Sequence, residues 1–334
     1  MRGYPAYLIG RLGQFLLVVF IGINIAFVVT HATPIDPVEQ TIAAATQFGA
    51  TSPEAIAMMR QSLKELYGLE GSLWEQYATF WRRVSVGDFG PSLSAFPAPV
   101  STLILRALPW TVGLLTVSTL LTWVIGNLLG GLAGYYLRSR TLRFAGILAM
   151  ALHPIPYYII AFVLLIVFGY LWPVLPITGG HTMNMQRGFN LAFIGNLAIH
   201  SILPITSLVL AGLGGWFMGM RALVSNVVTE DYVVYAELGG VRPQRILGSY
   251  VMRNALVPQV TGLAMSLGAI FTGAIITEQV FGYPGIGTLL VSAVHVGDYS
   301  LVLGIATVSI VAVSFAVLLI DLLYPLLDPR VKAR

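Results

Sequence analysis

The chain has 334 residues, of which 57% are hydrophobic and only 10% are charged, and its mean hydropathy is +0.82. Because a soluble domain carries roughly 25% charged residues, this composition predicts a polytopic membrane protein. The absence of cysteine excludes disulfides and thiolate chemistry. The net charge of +4 becomes informative once the basic residues are assigned to the two sides of the membrane.

Uncharged windows long enough for a transmembrane helix of about 20 residues cover residues 12–35, 107–137, 144–186, 188–220, 254–277 and 299–320. Trp172-Pro173 predicts that the third span ends near residue 171. The polar and aromatic residues of 188–196 predict that the fourth span begins near Ala198. The sequence therefore predicts an all-α polytopic membrane protein with six transmembrane helices.

Basic residues in the short loops predict the orientation of the chain. They cluster after the second span, between the fourth and fifth spans, and in the tail: Arg138, Arg140 and Arg143; Arg242, Arg245 and Arg253; Arg330, Lys332 and Arg334. The loop 172–197 has only Arg187, and the loop 278–300 has no lysine or arginine. Because basic loops stay in the cytoplasm, these clusters and both termini are predicted to be cytoplasmic. No small-residue cleavage site follows the first apolar run, which favours an uncleaved helix over a signal peptide.

Four segments follow from this orientation. We predict an N-terminal segment with the first transmembrane helix (1–30), an external helical insert (31–106), a five-helix core (107–325) with a cytoplasmic loop at 222–257, and a cytoplasmic tail (326–334). Within the insert, the cap signal Ser52-Pro53-Glu54 predicts a helix that ends at Gly68. A second helix is predicted from Leu73 to Val84.

Small residues recur at helical spacing in two spans. Gly126, Gly130 and Gly134 form one stripe, and Gly215 and Gly219 form another. Such stripes let helix backbones approach closely. The contact is predicted either within this chain or with a partner chain.

The third span contains His153-Pro154-Ile155-Pro156. Neither proline has an amide to donate, so the helical hydrogen bonds must break here. A broken helix inside a membrane is tolerated where it faces protein or a wet cavity. These residues are therefore candidates for lining a pathway, and a purely structural kink is the alternative.

Between the fourth and fifth spans, the sequence predicts two short helices joined at an elbow. Thr229 or Asp231 can accept hydrogen bonds from the first free amides of a helix. Gly239 and Gly240 can end that helix in a left-handed turn, and Pro243 suits the first position of the next. An ordinary basic cytoplasmic loop is the alternative interpretation.

The segment after the fifth span contains Glu278 followed by Pro284, Gly285 and Gly287. The proline and glycines cannot continue a helix, which predicts a re-entrant or interfacial turn. A carboxylate at this depth is costly unless it is paired or hydrated. Glu278 is therefore a second candidate for the pathway or its gate.

Several kinds of chemistry are disfavoured by the sequence. The two lysines, Lys64 and Lys332, follow leucine and valine, so no phosphate-binding loop is present. No charged residue lies in the middle of a predicted span, which disfavours an ion-coupled carrier or channel. The histidines lack the spacing of metal ligands, and no Gly-x-Ser-x-Gly turn occurs. We predict no catalytic, cofactor or metal site on this chain.

The elbow loop resembles the cytoplasmic coupling loop of ABC importer permeases. The similar residues are Asp231-Tyr232-Val233, Ala236, Gly240, Arg245 and Asn254-Ala255-Leu256-Val257-Pro258. Val234 and Tyr235 depart from the pattern, since they stand where that family has Glu and Ala. The resemblance implies that the loop docks into a groove on an ATPase subunit.

Four further segments resemble the dipeptide and oligopeptide branch of the same family. They are Pro34-Ile35-Asp36-Pro37; Trp74-Glu75-Gln76-Tyr77 with Gly87-Asp88-Phe89-Gly90 and Ser92; the stretch 277–287; and the stretch 321–330. Together with the elbow they extend over nearly the whole chain in the expected order. The resemblance implies the type I ABC importer permease fold.

In that family the permease pairs with a second homologous permease, usually a different chain. Two cytoplasmic ATPases hold ATP and magnesium, and an external solute-binding protein delivers the solute. The resemblance therefore implies the inner membrane of a prokaryote, a peptide substrate, and no nucleic-acid partner. Oligosaccharide, nickel or opine remain alternative substrates. It assigns ATPase coupling to these residues: Asp231, Tyr232, Ala236, Gly239, Gly240, Arg242, Arg245, Asn254 and Pro258. His153, Pro154, Pro156 and Glu278 are the candidate pathway or gate residues.

Overall fold

A computed structural model describes residues 4–32, 37–46, 52–67, 71–183, 185, 188, 190–272 and 274–327. Within these residues the regular structure is helical, apart from one isolated bridge between Pro91 and Pro99. The all-α prediction is therefore confirmed. Pro34-Ile35-Asp36, Gly68, Arg187 and the basic tail at 330–334 lie outside the described residues.

The N-terminal third contains four helices before the long helix α5. Their bounds are α1 Tyr4–Ala32, α2 Pro37–Thr46, α3 Pro53–Tyr67 and α4 Leu73–Ser85, followed by α5 Val100–Tyr135. Helices α3 and α4 lie where the sequence predicts them, but α2 was not predicted.

The remaining helices are interrupted by short turns. They are α6 Arg140–Leu152; α7 Tyr157–Leu165, extended by a π-helical turn Ile166–Leu171; α8 Leu191–Val227; α9 Asp231–Leu238; α10 Pro243–Arg245, continued by a π-helical turn Ile246–Met252 into α11 Arg253–Gly268 and a 3-10 turn Ala269–Thr272; α12 Ile275–Val280; α13 Ile286–Val296; and α14 Tyr299–Leu327.

Four of the six predicted spans are single helices long and apolar enough to cross a membrane: Tyr7–Ala32, Val100–Tyr135, Leu191–Val227 and Tyr299–Leu322. The third predicted span is divided into α6 and α7, which meet at a bend of 104°. The fifth, predicted at 254–277, has an α-helical part of only 16 residues in α11. The structure thus supports four spans, or five if the bent pair counts as one, and the sixth stays a prediction.

The start of the fourth span was predicted wrongly. Helix α8 begins at Leu191 rather than near Ala198, because the Asn190 side chain accepts a hydrogen bond from the Phe193 amide at 2.7 Å. An asparagine at this position satisfies a free amide of the first turn. Residues 191–196, predicted to be loop, are therefore part of the helix.

The chain divides into two compact units: residues 1–110 with 284–318, and residues 111–283 with 319–334. The boundaries fall within α5, between α12 and α13, and within α14. In the first unit, aromatic side chains of α4 pack on α1. Trp81 stacks on Phe20 with ring centroids 5.5 Å apart, and the Tyr77 hydroxyl donates to Asn24 Oδ1 at 2.7 Å. Helix α4 thus packs on α1 through a partly buried aromatic face.

In the second unit, the glycine stripe of α5 packs directly on α8. A Cβ at Gly126 would lie 2.5 Å from Trp216 Cβ, and one at Gly134 would lie 2.9 Å from the Arg221 carbonyl oxygen. These distances leave no room for a side chain. Between the two alternatives for this stripe, contact within the chain is the one that the structure shows.

Candidate functional site

Helix α9 is the centre of the elbow predicted between the fourth and fifth spans. It ends in a Schellman motif: the Gly240 amide donates to the Glu237 carbonyl at 3.0 Å, and the Val241 amide donates to the Ala236 carbonyl at 3.1 Å. Gly240 has φ +71°, a conformation that glycine adopts at little cost. Pro243 then opens α10. The predicted end of this helix and the start of the next are both present.

The side-chain cap predicted at the start of α9 is not formed by either predicted residue. Glu230 occupies the cap position and no side chain makes the capping hydrogen bond. The Thr229 hydroxyl instead donates to the Asn226 carbonyl at 2.7 Å. Asp231 lies in the first turn of α9, where a negative charge interacts favourably with the helix dipole.

One face of α9 is buried in a core formed by the chain itself. Val233 is fully buried and Ala236 is only 8% exposed. They contact a cluster with members from α8, the π-helical turn and α11: Met220, Val224, Ile246, Val251 and Ala255. The Ala236 side chain therefore lies on the buried face of α9 and not on its exposed face.

The opposite face of α9 presents apolar side chains to the surroundings. Tyr235 is 74% exposed and Leu238 is 80% exposed. Asp231, Val234, Tyr235 and Leu238 follow the spacing i, i+3, i+4 and i+7, so they share one helix face. Sequence reasoning treated Tyr235 only as a departure from a motif. The signal that could have identified this face is the helical spacing itself.

Polar groups beside α9 join it to α11 and leave cations exposed. The Asn254 side-chain amide donates to the Tyr232 hydroxyl at 3.1 Å and to the Tyr250 carbonyl at 2.7 Å. Pro258 lies inside α11, so its missing amide cannot donate to the Asn254 carbonyl. Arg242, Arg245 and Arg253 are exposed. Gly239 is the C-cap residue of α9.

The predicted break at His153-Pro154-Ile155-Pro156 lies between α6 and α7. His153 is an exposed residue at the end of α6 and packs over α8. A Cβ at Gly214 would lie 2.6 Å from the Cβ of His153, so that glycine makes room for the bend. Pro156 occupies the position before α7. The break itself is present, and a pathway role for its residues stays a prediction.

Glu278 is fully buried, and its carboxylate is paired. Glu278 Oε1 accepts from the Thr111 hydroxyl at 2.7 Å. Nearby, the hydroxyls of Tyr283 and Ser201 are 3.0 Å apart, and the Gly179 amide donates to the Phe281 carbonyl at 2.8 Å. Burial raises the pKa of Tyr283, the Ser201 hydrogen bond opposes this, and the Glu278 charge adds to it. The segment 278–283 is thereby held against α5, α8 and the loop after α7.

Asp298 is a buried carboxylate that sequence reasoning missed. It lies before α14 in the first unit, and its Oδ2 accepts from Ser92 and Ser94. Its Oδ1 accepts from the Leu301 amide at 3.1 Å. No local sequence signal pairs residues this far apart.

Comparison with known proteins identifies the family. The sequence pattern of the family described as "Binding-protein-dependent transport system inner membrane component" matches residues 126–333. The chain belongs to this family. The matched region includes the elbow and the Glu278 segment, so both sites lie in the part that defines this permease.

Similar proteins match the chain over nearly its whole length. The oligopeptide transport system permease protein AppB of Bacillus subtilis is 30% identical over 318 residues, covering 94% of this chain and 95% of that protein. The oligopeptide transport system permease protein OppB of Haemophilus influenzae is 30% identical over 327 residues, covering 98% and 99%. The dipeptide transport system permease protein DppB of Escherichia coli K12 is 29% identical over 344 residues, covering 98% of each. The resemblance found from the motifs is therefore confirmed, and this permease is a membrane component of a transport system.

Proposed function

We propose that this permease forms part of the translocation path of an ATP-driven peptide importer and receives the motion of a separate ATPase through α9. The observation that carries the proposal is the exposed apolar face of α9, with Tyr235 and Leu238 standing on a helix whose other face is rigidly buried. An exposed aromatic and aliphatic pair on a short helix is typical of a surface that docks into a groove.

The packing beneath α9 supports transmission of motion. Val233 and Ala236 belong to one buried cluster with side chains from α8, the π-helical turn and α11, and Asn254 of α11 adds a polar contact to Tyr232. A displacement of α9 therefore moves α8 and α11 with it, because packed cores shift as units rather than deform. The elbow thus transmits motion from the cytoplasmic ATPase to the membrane helices.

Helix α8 carries this motion across the membrane. Its 37 residues correspond to about 55 Å at roughly 1.5 Å per residue. Ser201 lies towards its N-terminal end, beside Tyr283. Motion of α8 would change the contacts of segment 278–283, and we assign that segment to a gate and the His153 break to the translocation path. Both termini and the elbow are assigned to the cytoplasm.

The proposed partners are those expected for this family and for the relatives named above. We propose two cytoplasmic ATPases that hold ATP and magnesium, an external solute-binding protein, and a second permease with a different sequence. Peptide is the proposed solute because the relatives named above are oligopeptide and dipeptide permeases. Oligosaccharide is the alternative to test against it, in uptake competition with short peptides and with sugars.

Purification of the tagged full chain from its native membrane in mild detergent tests the proposal. We expect an ATPase and a second permease to be recovered with it. The double variant Tyr235→Ser with Leu238→Ser should lose at least about nine-tenths of the ATPase, since loss of two central apolar anchors costs several kcal/mol of binding. Met58→Ser is the matched control, because Met58 is also exposed, at 72%, on α3 of the predicted external insert.

The outcomes separate the two parts of the proposal. If the native chain is recovered alone, and its transport collapses with the proton gradient but persists after ATP depletion, the importer assignment is wrong. If the ATPase is recovered equally with the native chain and the double variant, the permease role stands but docking through α9 is wrong.

A further inference from the structure

The junction of α5 and α6 contains a cavity beside the elbow, and one of its lining residues, Tyr135, packs against the buried cluster of α9. Its volume is about 630 Å³, and it is lined by Tyr135, Tyr136, Leu137, Arg138, Ser139 and Leu142. Tyr135 and Tyr136 meet edge to face, with ring centroids 4.9 Å apart. Since one water molecule occupies about 30 Å³ in the liquid, the cavity has room for a much larger polar group.

Three guanidinium groups lie at or beside this cavity: Arg138 lines it, and Arg140 and Arg143 lie in the first turn of α6 that follows. Arg138, Arg140 and Arg143 are all exposed, and within the described part of the chain none of them hydrogen-bonds or ion-pairs through its side chain. Arginine presents a planar fork of donors that matches the oxygens of a phosphate group. The chemistry of this site therefore suits a phosphate-bearing anion.

The same helix face shows where that anion comes from. Arg140, Arg143, Phe144 and Ile147 follow the spacing i, i+3, i+4 and i+7, so they share one face of α6. Phe144 is 68% exposed and Ile147 is 55% exposed. Large apolar side chains exposed in a membrane protein contact lipid chains. Two arginines thus stand at the end of an exposed apolar stripe, at the end of α6 that the positive-inside rule predicts to lie near the cytoplasmic headgroups.

We propose that this cavity binds the phosphate of an anionic phospholipid, with Arg138, Arg140 and Arg143 around the phosphate and the acyl chains along Phe144 and Ile147. The leaflet is the one at the α5–α6 junction, which the positive-inside rule predicts to be cytoplasmic. The apolar stripe favours a lipid over an acidic surface of a protein partner. The proposal does not depend on the importer assignment.

Thermal unfolding of the purified, delipidated complex that contains the full chain tests this site. Phosphatidylglycerol is the anionic probe, and phosphatidylcholine with the same acyl chains is the zwitterionic control. We expect phosphatidylglycerol to raise the midpoint more than phosphatidylcholine does. In the triple variant Arg138→Gln, Arg140→Gln, Arg143→Gln, the apparent affinity should fall roughly a hundredfold, about fivefold for each charge. Inorganic phosphate at matched ionic strength should not reproduce the shift.

Two control variants make the result decisive. Arg82→Gln with Arg83→Gln removes two charges from α4 and should leave the lipid effect unchanged. The triple lysine variant keeps the charge that orients the chain but lacks the guanidinium fork, so it should insert normally and bind several-fold more weakly. Equal binding by native and lysine variants, or an equal shift with inorganic phosphate, overturns the proposal. Loss of the ATPase from the glutamine variant with an unchanged lipid shift would also overturn it, in favour of a protein partner.

Discussion

The Ser92 hydroxyl donates to the buried carboxylate of Asp298 at 2.5 Å, across 206 positions of sequence. The amide and hydroxyl of Ser94 donate to the same oxygen, each at 2.9 Å. Asp298 also accepts from the Leu301 amide in the first turn of α14. One carboxylate therefore ties the segment before α5 to the start of α14 within the first unit.

Asp298→Asn should weaken the contact between the segment before α5 and the start of α14. The amide is neutral and its nitrogen cannot accept, so at least one buried donor loses its partner, at a cost of about 1–3 kcal/mol. Faster hydrogen exchange at the amides of residues 92–95 would be the direct observation. Glu65→Gln on the exposed surface of α3 is the control and should change nothing. Unchanged exchange in Asp298→Asn would show that the contact does not hold the segment.

Sequence reasoning succeeded where a local rule determines the structure. Gly240 and Pro243 marked the end of α9 and the start of α10 because left-handed caps and proline at N1 depend on one residue each. The start of α8 was missed because the Asn190 cap, a single hydrogen bond, overrides the polarity of the residues after it.

Contacts between distant residues were beyond the sequence. The pairing of Asp298 with Ser92, and of Glu278 with Thr111, depends on how helices pack, and a single sequence read by itself gives no information on such pairs. The exposed face of α9 had a readable signal, the spacing of Val234, Tyr235 and Leu238. Its meaning became clear only once Val233 and Ala236 were found buried on the other side.

Gly130→Ala should destabilise the packing of α5 on α8. A Cβ at this position would overlap the backbone carbonyl of Phe217, and backbone cannot move aside as a flexible side chain can. A loss of about 1–3 kcal/mol should lower the midpoint of thermal unfolding in detergent. Gly113→Ala, also in α5, is the matched control, since a Cβ there meets nothing within 4 Å. Equal midpoints for the two variants would contradict the close approach.

Thr111→Val should weaken the hold on Glu278. The valine has a similar shape but removes the hydroxyl that donates to Glu278 Oε1, leaving a buried carboxylate with one donor fewer, at about 1–3 kcal/mol. Thr111→Ser restores the donor and should recover most of the midpoint. Thr261→Val, at an exposed position of α11 with a long 3.4 Å hydrogen bond, should have little effect. If Thr111→Ser is as unstable as Thr111→Val, the methyl group and not the hydrogen bond matters.

The start of α4 should depend on pH through Glu75. Its carboxylate accepts from the Ser72 amide at 2.6 Å and from the Ser72 hydroxyl at 3.1 Å, and these bonds, the amide first, lower the pKa of Glu75. The carboxylate therefore stabilises the folded cap above the unfolded pKa of about 4.3, and this contribution is lost as the pH falls through the lower folded pKa. Below about pH 4.3 we expect protection of the Ser72 amide, measured by hydrogen exchange and corrected for its intrinsic rate, to decrease. Glu75→Gln should remove this pH dependence, and a decrease that persists in Glu75→Gln would assign the effect to another group.

Two substitutions at Gly240 test the backbone conformation of the elbow and its bulk separately. At φ +71° an alanine is strained by about 1–2 kcal/mol, although a Cβ there meets nothing within 4 Å. Gly248→Ala is the matched control in the adjoining π-helical turn, equally open and without a positive φ. We expect Gly240→Ala to fray the end of α9 and reduce uptake, and Gly248→Ala to keep uptake near the native rate. Gly240→Trp adds bulk beside the exposed face and should abolish uptake while the chain still inserts. Native uptake in Gly240→Trp would show that the elbow does not couple the motor to transport.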